Sequence, residues 1–170
     1  IWQRNYLSGE LLTAKIEYWK TKLEGVAPLQ LPTDYNRPPV LGSKGASAGF
    51  KIEQGLSGQL QELSKQQNTT LFMTLLAGFK VLLYRYSGQA DICVGSPIAN
   101  RTQQEVEGLK GFFIITLALR NNLYNELSFT SLLKQLKQTT LEAYEHQDVP
   151  FEKVVEAAVK ERDMGRSPLF

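Results

Sequence analysis

Two short apolar runs do most to limit what this chain can fold into. Asp91-Ile92-Cys93-Val94-Gly95 is β-prone, and Phe112 to Leu119 is a second continuous apolar run, rich in β-branched residues and closed by Arg120. Runs of this length without polar alternation read as strands covered on both faces. The rest of the sequence supplies helices to cover them. Leu12, Ile16, Trp19 and Leu23 recur at helical spacing over residues 10–24, and Gly25 stops that helix. Leu56, Leu60 and Leu63 mark a short helix. Leu71–Tyr86, capped by Thr69 or Thr70 and ended by Ser87-Gly88, is apolar nearly all round and is predicted to be buried. From Ser128 a long helix carries Phe129, Leu132, Leu133, Leu136, Thr140 and Tyr144 on one face. Pro150 opens a last short helix with Phe151, Val154 and Val155 inward. Between them lie a proline-rich connector (Pro28–Pro39), a turn-rich stretch (Gly42–Gly45), a weak strand (Ala48–Glu53), a polar loop (Ser96–Gly108) and an irregular end (Arg162–Pro168). The expected fold class is α/β, a layered helix-and-sheet lobe with one core.

Charge and scarce residue types exclude several kinds of function. Nineteen Lys and Arg against seventeen Asp and Glu leave a net charge of +2, which demands neither a nucleic acid nor an anionic membrane as partner. The longest apolar-rich stretch, Leu71–Leu83, is interrupted by Thr74, Gly78 and Lys80, so no membrane span is predicted. One cysteine excludes an internal disulfide and makes the cytoplasm the expected compartment. One histidine and one cysteine cannot form a Cys/His zinc site, and no phosphate loop, dinucleotide fingerprint or nucleophile elbow occurs; neither a metal nor a directly bound cofactor is expected.

Few candidates for chemistry remain. His146, the only imidazole, is either a general base or a ring at a helix C-terminus facing the negative end of the dipole. Nothing nearby supplies a nucleophile, which favours the second. Cys93 reads as a buried small hydrophobe. Arg101 either holds a carboxylate bidentately or is a solvated loop arginine. Glu105 and Glu107 read as a solvated loop face, and Asp163 with Arg162 and Arg166 as ion pairs that pin the C-terminal segment. The chain starts at Ile1 without methionine, has Trp2 and Tyr6 among its first seven residues, and ends on Phe170. Both ends are expected to be cuts through structured protein.

The strings YWKTKLEG with LPTDYNRP, YSGQADICVGSPIANR, LKGFFIITLALR, HQDVPFEKVVEA and ERDMGRSPLF occur in one order. That order resembles the condensation domain of nonribosomal peptide synthetases, from end to end of the chain. The resemblance implies a chloramphenicol acetyltransferase-like fold of two lobes in a V around a tunnel. It also implies that residues 1–170 are a single incomplete lobe, the middle-to-C-terminal part. The family's HHxxxDG motif is expected N-terminal to Ile1, and the final strands are expected beyond Phe170. The parent would join a donor thioester to an acceptor amine, both on phosphopantetheine arms of carrier domains. Implied partners are peptidyl and aminoacyl carrier domains, the N-terminal lobe and an adjacent adenylation domain.

No residue here is expected to be catalytic, so the isolated chain is expected to be inactive. By resemblance Trp2, Gly95, Pro97, Asn100, Arg101, Gly111, Phe112, Phe113, Ile115, Thr116 and Arg120 line or buttress the substrate channel. His146, Gln147, Asp148, Pro150, Phe151 and Glu152, with Arg162, Asp163, Arg166 and Pro168, match the two motifs that follow. Ile115 stands where the family has asparagine, and Gly165 where it usually has serine. Losing the asparagine removes a polar group from the acceptor side, which motivates a second reading: a non-catalytic lobe that docks carrier domains. A third is a free-standing hydrolase or acyltransferase using His146. Strand edges and apolar surface left by the cuts predict self-association or a completing partner chain.

Overall fold

Side-chain caps at Thr70 and Ser128 start two of the helices. In the computed structural model, residues 6–40, 42, 45–101, 104–111, 113–159 and 165–169 are described. Helix α1 (Gly9–Leu23) turns Trp19 and Leu23 inward, with Leu12 and Ile16 half-buried. Helix α2 (Gln54–Gln66) meets α3 (Leu71–Ser87) through a buried hydroxyl pair, Ser64 to Thr74 at 2.7 Å. Thr70 caps α3 by accepting from the Met73 amide at 3.2 Å, satisfying a donor the helix cannot. Gly88 ends it at φ +68, a left-handed conformation that costs glycine little, and its amide donates to Tyr84 O. Strand β1 (Asp91–Ile98), the short α4 (Gln104–Glu107) and β2 (Ile115–Asn122) follow. Ser128 caps α5 (Phe129–Glu145) through the Ser131 amide, and Pro150 precedes α6 (Phe151–Ala158).

β1 and β2 pair antiparallel, from Asp91 opposite Asn122 to Ile98 opposite Ile115. α3 packs on β1, while α5 and α6 pack on β2. α2 and α5 flank α3, and α1 lies on α6. Ile92, Leu117 and Leu119 of the ladder meet Ala77 and Leu83 of α3, and Leu132, Leu133 and Leu136 of α5, in one core. The layered α/β class expected from the sequence is the observed one.

Several boundaries differ for identifiable reasons. β2 starts three residues later than predicted, because Ile114 is 54% exposed and stands before the ladder. It continues through Arg120 and Asn121 because their polar groups find partners inside the fold. β1 runs on to Ile98, and α4 occupies part of the predicted polar loop. Ala48–Glu53 forms no strand and is exposed throughout. α3 is not buried all round: Phe72, Leu75, Phe79, Leu82 and Tyr86 are exposed, since the described residues cover only its opposite face. On α5 the inward face is completed by Ala143, leaving Phe129 and Tyr144 each 37% exposed. Among the described residues no helix is long and apolar enough to cross a membrane. Trp2, Phe112, Arg162 and Asp163 lie outside the described residues.

Candidate functional site

The ladder register brings the two central strings together. Gly95 sits opposite Ala118, Pro97 opposite Thr116, and Ile98 opposite Ile115. At this end of the ladder Pro97 is exposed, while Gly95, Ile98, Ile115 and Thr116 are half-buried. Ile115 thus forms an apolar cross-strand pair with Ile98. Beyond β1 the backbone turns sharply: Asn100 has φ +47, a left-handed conformation that asparagine tolerates better than most residues. The turn sends the Arg101 guanidinium back across the loop. Its Nη1 donates to the carbonyl of Val106 and, at 3.2 Å, to that of Glu107, at the end of α4. The guanidinium carbon lies 4.2 Å from the centroid of the Phe113 ring, a cation–π contact. A side chain on Gly111 would come within 3.0 Å of that ring, so glycine leaves room for Phe113 under Arg101. Arg101 is therefore not a solvated loop arginine; it ties the end of β1 to α4 and to Phe113.

The opposite end of the ladder is held by Arg120. Its Nε and Nη2 donate to the two carboxylate oxygens of Asp91, each at 2.8 Å. Its Nη1 donates to the carbonyls of Lys22 and Glu24 at the end of α1. The hydrogen bond it donates to Asp91 raises the Arg120 pKa above its ordinary value, so the side chain is a permanent cation. Here Arg120 joins α1 to both strands. Cys93, opposite Arg120, is buried, and burial pushes its thiol up to about 11, which fits the inert role read from the sequence.

The HQDVPFE string forms a bracket with α1. His146 follows the last residue of α5, its Nδ1 donating to Glu142 O at 2.8 Å, and its ring stacks on Tyr18 with centroids 3.7 Å apart. The Trp19 indole donates to His146 O at 3.0 Å. Lys15 reaches Glu145 O at 2.9 Å and the Asp148 carboxylate at 2.6 Å. Lys22 pairs with Glu142 at 2.7 Å, and that bond is the first cause holding the Glu142 carboxyl below its usual range. Burial, then Glu142, raise the Tyr18 hydroxyl above its usual value. Gln147 donates to Tyr144 O, Pro150 and Phe151 are half-buried at the start of α6, and Glu152 is exposed. The geometry gives His146 the helix-terminal role, with ring, Nδ1 and backbone carbonyl all engaged in packing. Near the end of the chain, Arg166 reaches Gln30 and Leu29 O on the connector after α1, and Pro168 is half-buried. Among the described residues no three His, Cys, Asp or Glu side chains gather where they would hold a metal ion.

Sequence reasoning missed Lys15, Tyr18 and Lys80. Lys80 left a signal, a cation in the middle of an apolar helix; Lys15 and Tyr18 of α1 meet partners far along the chain, Asp148 and His146, and left none. Lys80 is fully buried. It donates to Leu119 O and Asn121 Oδ1 at 2.6 Å each and to Ile92 O at 3.4 Å.

Comparison with known proteins bears on this arrangement directly. The chain matches the family model described as Condensation domain over residues 1–170. It is 53% identical to one of the linear gramicidin synthase subunits of Brevibacillus parabrevis, over 100% of this chain and 3% of that protein. It is 42% identical to tyrocidine synthase 3 of the same organism, again over 100% of this chain and 3% of that protein. The chain thus spans a small fraction of the length of these curated relatives. Among solved structures it resembles a holo four-domain nonribosomal peptide synthetase bound to AMP and glycine. The TM-score there is 0.90 at 30% identity, covering 98% of this chain and 13% of that one. It also superposes on the X-domain from teicoplanin biosynthesis with a TM-score of 0.92, covering 99% of this chain and 39% of that one. At 23% identity that likeness is one of fold. With strand register, motif order and a family match over the full sequence in agreement, the chain belongs to the condensation-domain family.

Proposed function

We propose that these residues form the channel-wall part of a condensation domain that makes an amide bond from a donor thioester and an acceptor amine. The reaction needs a placed amine, a proton acceptor and a passage that excludes water. The observation that carries the reading is the register itself, which sets Gly95, Pro97 and Ile98 beside Ala118, Thr116 and Ile115, with Arg101 and Phe113 closing the loop above them. Gly111, Asn100 and Arg101 shape the wall, and Arg120 and the His146–Glu152 bracket hold it in place. The proton acceptor is assigned to the family's two-histidine motif, because the only imidazole here is occupied in packing. Both acyl groups arrive on phosphopantetheine arms of carrier domains, with an adenylation domain of the same polypeptide as neighbour. The single cysteine, Cys93, suits a cytoplasmic protein.

The test adds donor-loaded and acceptor-loaded carrier domains to the chain alone, and to the chain with the N-terminal lobe of a related condensation domain. Dipeptide is expected only in the second mixture. Dipeptide from the chain alone would overturn the assignment of proton handling elsewhere.

One observation favours a second reading, a lobe that docks carriers without catalysis: Ile115 faces Ile98 where the family presents an asparagine. That reading gains if carriers bind the chain on titration while no mixture yields product. It loses if Ile115→Asn and the parent sequence support equal turnover.

A further inference from the structure

Three hydrogen-bond acceptors from the sheet converge on one nitrogen that no motif of the family reading uses. The Lys80 side chain rises from the buried face of α3 and is fully enclosed. Its Nζ donates to the carbonyl of Ile92 on β1, and to the carbonyl of Leu119 and the amide oxygen of Asn121 on β2. Asn121 in turn donates through Nδ2 to Thr139 Oγ1 on α5 at 3.1 Å. Four elements are thus joined through one ammonium, and it is the only side chain that touches both strands from α3 in these bonds. An ammonium has three N–H groups and the site offers three oxygens; a neutral amine donates only two and brings a lone pair against the third.

We infer that Lys80 is a positioning residue: by binding both strands at once it sets where the β1–β2 ladder sits on α3, and so where Pro97, Ile98, Ile115 and Thr116 stand. The four residues lie five or six positions along the ladder from Ile92 and Asn121, ~17–20 Å away at the usual strand rise. A paired ladder transmits a tilt at one end to the other. The bearing of this on substrate rests on the channel reading above; the mechanical claim does not. The charged form fills all three bonds, but burying the charge costs more than they return and pushes the ammonium down to about 7, with Cys93 and Asp91 on β1 pulling the other way. Arg120 on β2 is paired with Asp91. The residues that α5 buries, Leu132, Leu133, Leu136, Thr140 and Ala143, carry no charge, and α2 buries Ser64.

Residue-resolved amide hydrogen exchange on the 170-residue chain tests this, at pH 6 and pH 8.5 with rates corrected for intrinsic exchange. In the wild type, protection of residues 92–98 and 115–121 is expected to rise about tenfold relative to α5 from pH 6 to pH 8.5, because lifting the ladder returns the amine to water and is coupled to proton uptake. In Lys80→Met, strand protection is low at both pH values while α5 stays protected. A merely structural residue would lower all elements together. If Lys80→Met does not fold, the wild-type series decides alone, with the Nζ titration followed by NMR. Strand protection equal in Lys80→Met and wild type, or wild-type strands that ignore the Nζ titration, would overturn the inference. Because no turnover is measured, failure of the channel reading leaves this result untouched.

Discussion

The buried ammonium of Lys80 makes a prediction about stability that can be worked out with its sign. Burial lowers the folded pKa to about 7 from an ordinary value of 10.5. Between those values the unfolded chain binds more protons than the folded one, so stability rises with pH. The penalty for burying the charge is fully present below pH 7 and fades as pH climbs toward 10.5. Each pH unit in that window is worth up to about 1.4 kcal/mol, hence roughly 3 kcal/mol from pH 7 to 9. Above pH 9 the raised thiol of Cys93, and above pH 10 the raised hydroxyl of Tyr18, act in the opposite sense, because each stays protonated longer when folded. Tyr18 cancels in the difference with Lys80→Met; Cys93 is coupled to Lys80 and does not, so the comparison stops at pH 9. The variant loses the burial penalty but leaves Asn121 Oδ1 without its donor, at a cost of about 1–3 kcal/mol that does not vary with pH. The assay is urea denaturation of both proteins at pH 7, 8 and 9, followed by circular dichroism. The difference between them should shift steadily toward the wild type with pH. Parallel curves would refute the reasoning. They would show that the three oxygens compensate for burial and keep the amine charged across the window.

Two smaller predictions follow from other contacts. A double-mutant cycle of Arg101→Ala and Phe113→Leu should give a coupling of about 0.5–1 kcal/mol in denaturation midpoints, since the ring–guanidinium contact is half-exposed; zero coupling would mean that the contact does not form in solution. The exposed stripe Phe72, Leu75, Phe79, Leu82 and Tyr86 on α3 should drive concentration-dependent self-association in sedimentation velocity, and Phe79→Glu should weaken it; a monomer at all concentrations would contradict this.

How much could be read in advance depended on whether a residue's role is local. Thr70 and Ser128 act within one helical turn; a cap at Thr69 or Thr70, and the start of a helix near Ser128, were legible in the sequence. So were the inward residues Trp19, Leu23, Leu132, Leu133 and Leu136, because burial repeats with the helix. Arg120 misled the reading of β2: a charge normally closes a buried strand, but its partner Asp91 lies 29 residues back and becomes adjacent only through the register. The same holds for Asn121, whose amide is satisfied by Lys80 from another element. On α3 the apolar pattern itself was read correctly. It does not say which of two apolar faces is covered, and here only one is. The family strings were identified by their order, and the structure adds what order does not contain: that Ile115 meets Ile98 and that Arg101 lies on Phe113.

The bracket between α1 and the start of α6 has a consequence in time. The Trp19 indole and its acceptor at residue 146 are 127 positions apart. At ordinary elongation rates of ~5–20 residues per second, the ribosome makes that acceptor roughly 6–25 s after the indole. Throughout that interval Lys15, Tyr18 and Trp19 have no docking surface, and Trp19 and Leu23 stand exposed on a nascent helix. α1 therefore waits until residue 146 has emerged to dock on its partner, and a chaperone that shields aromatic side chains has its best opportunity there.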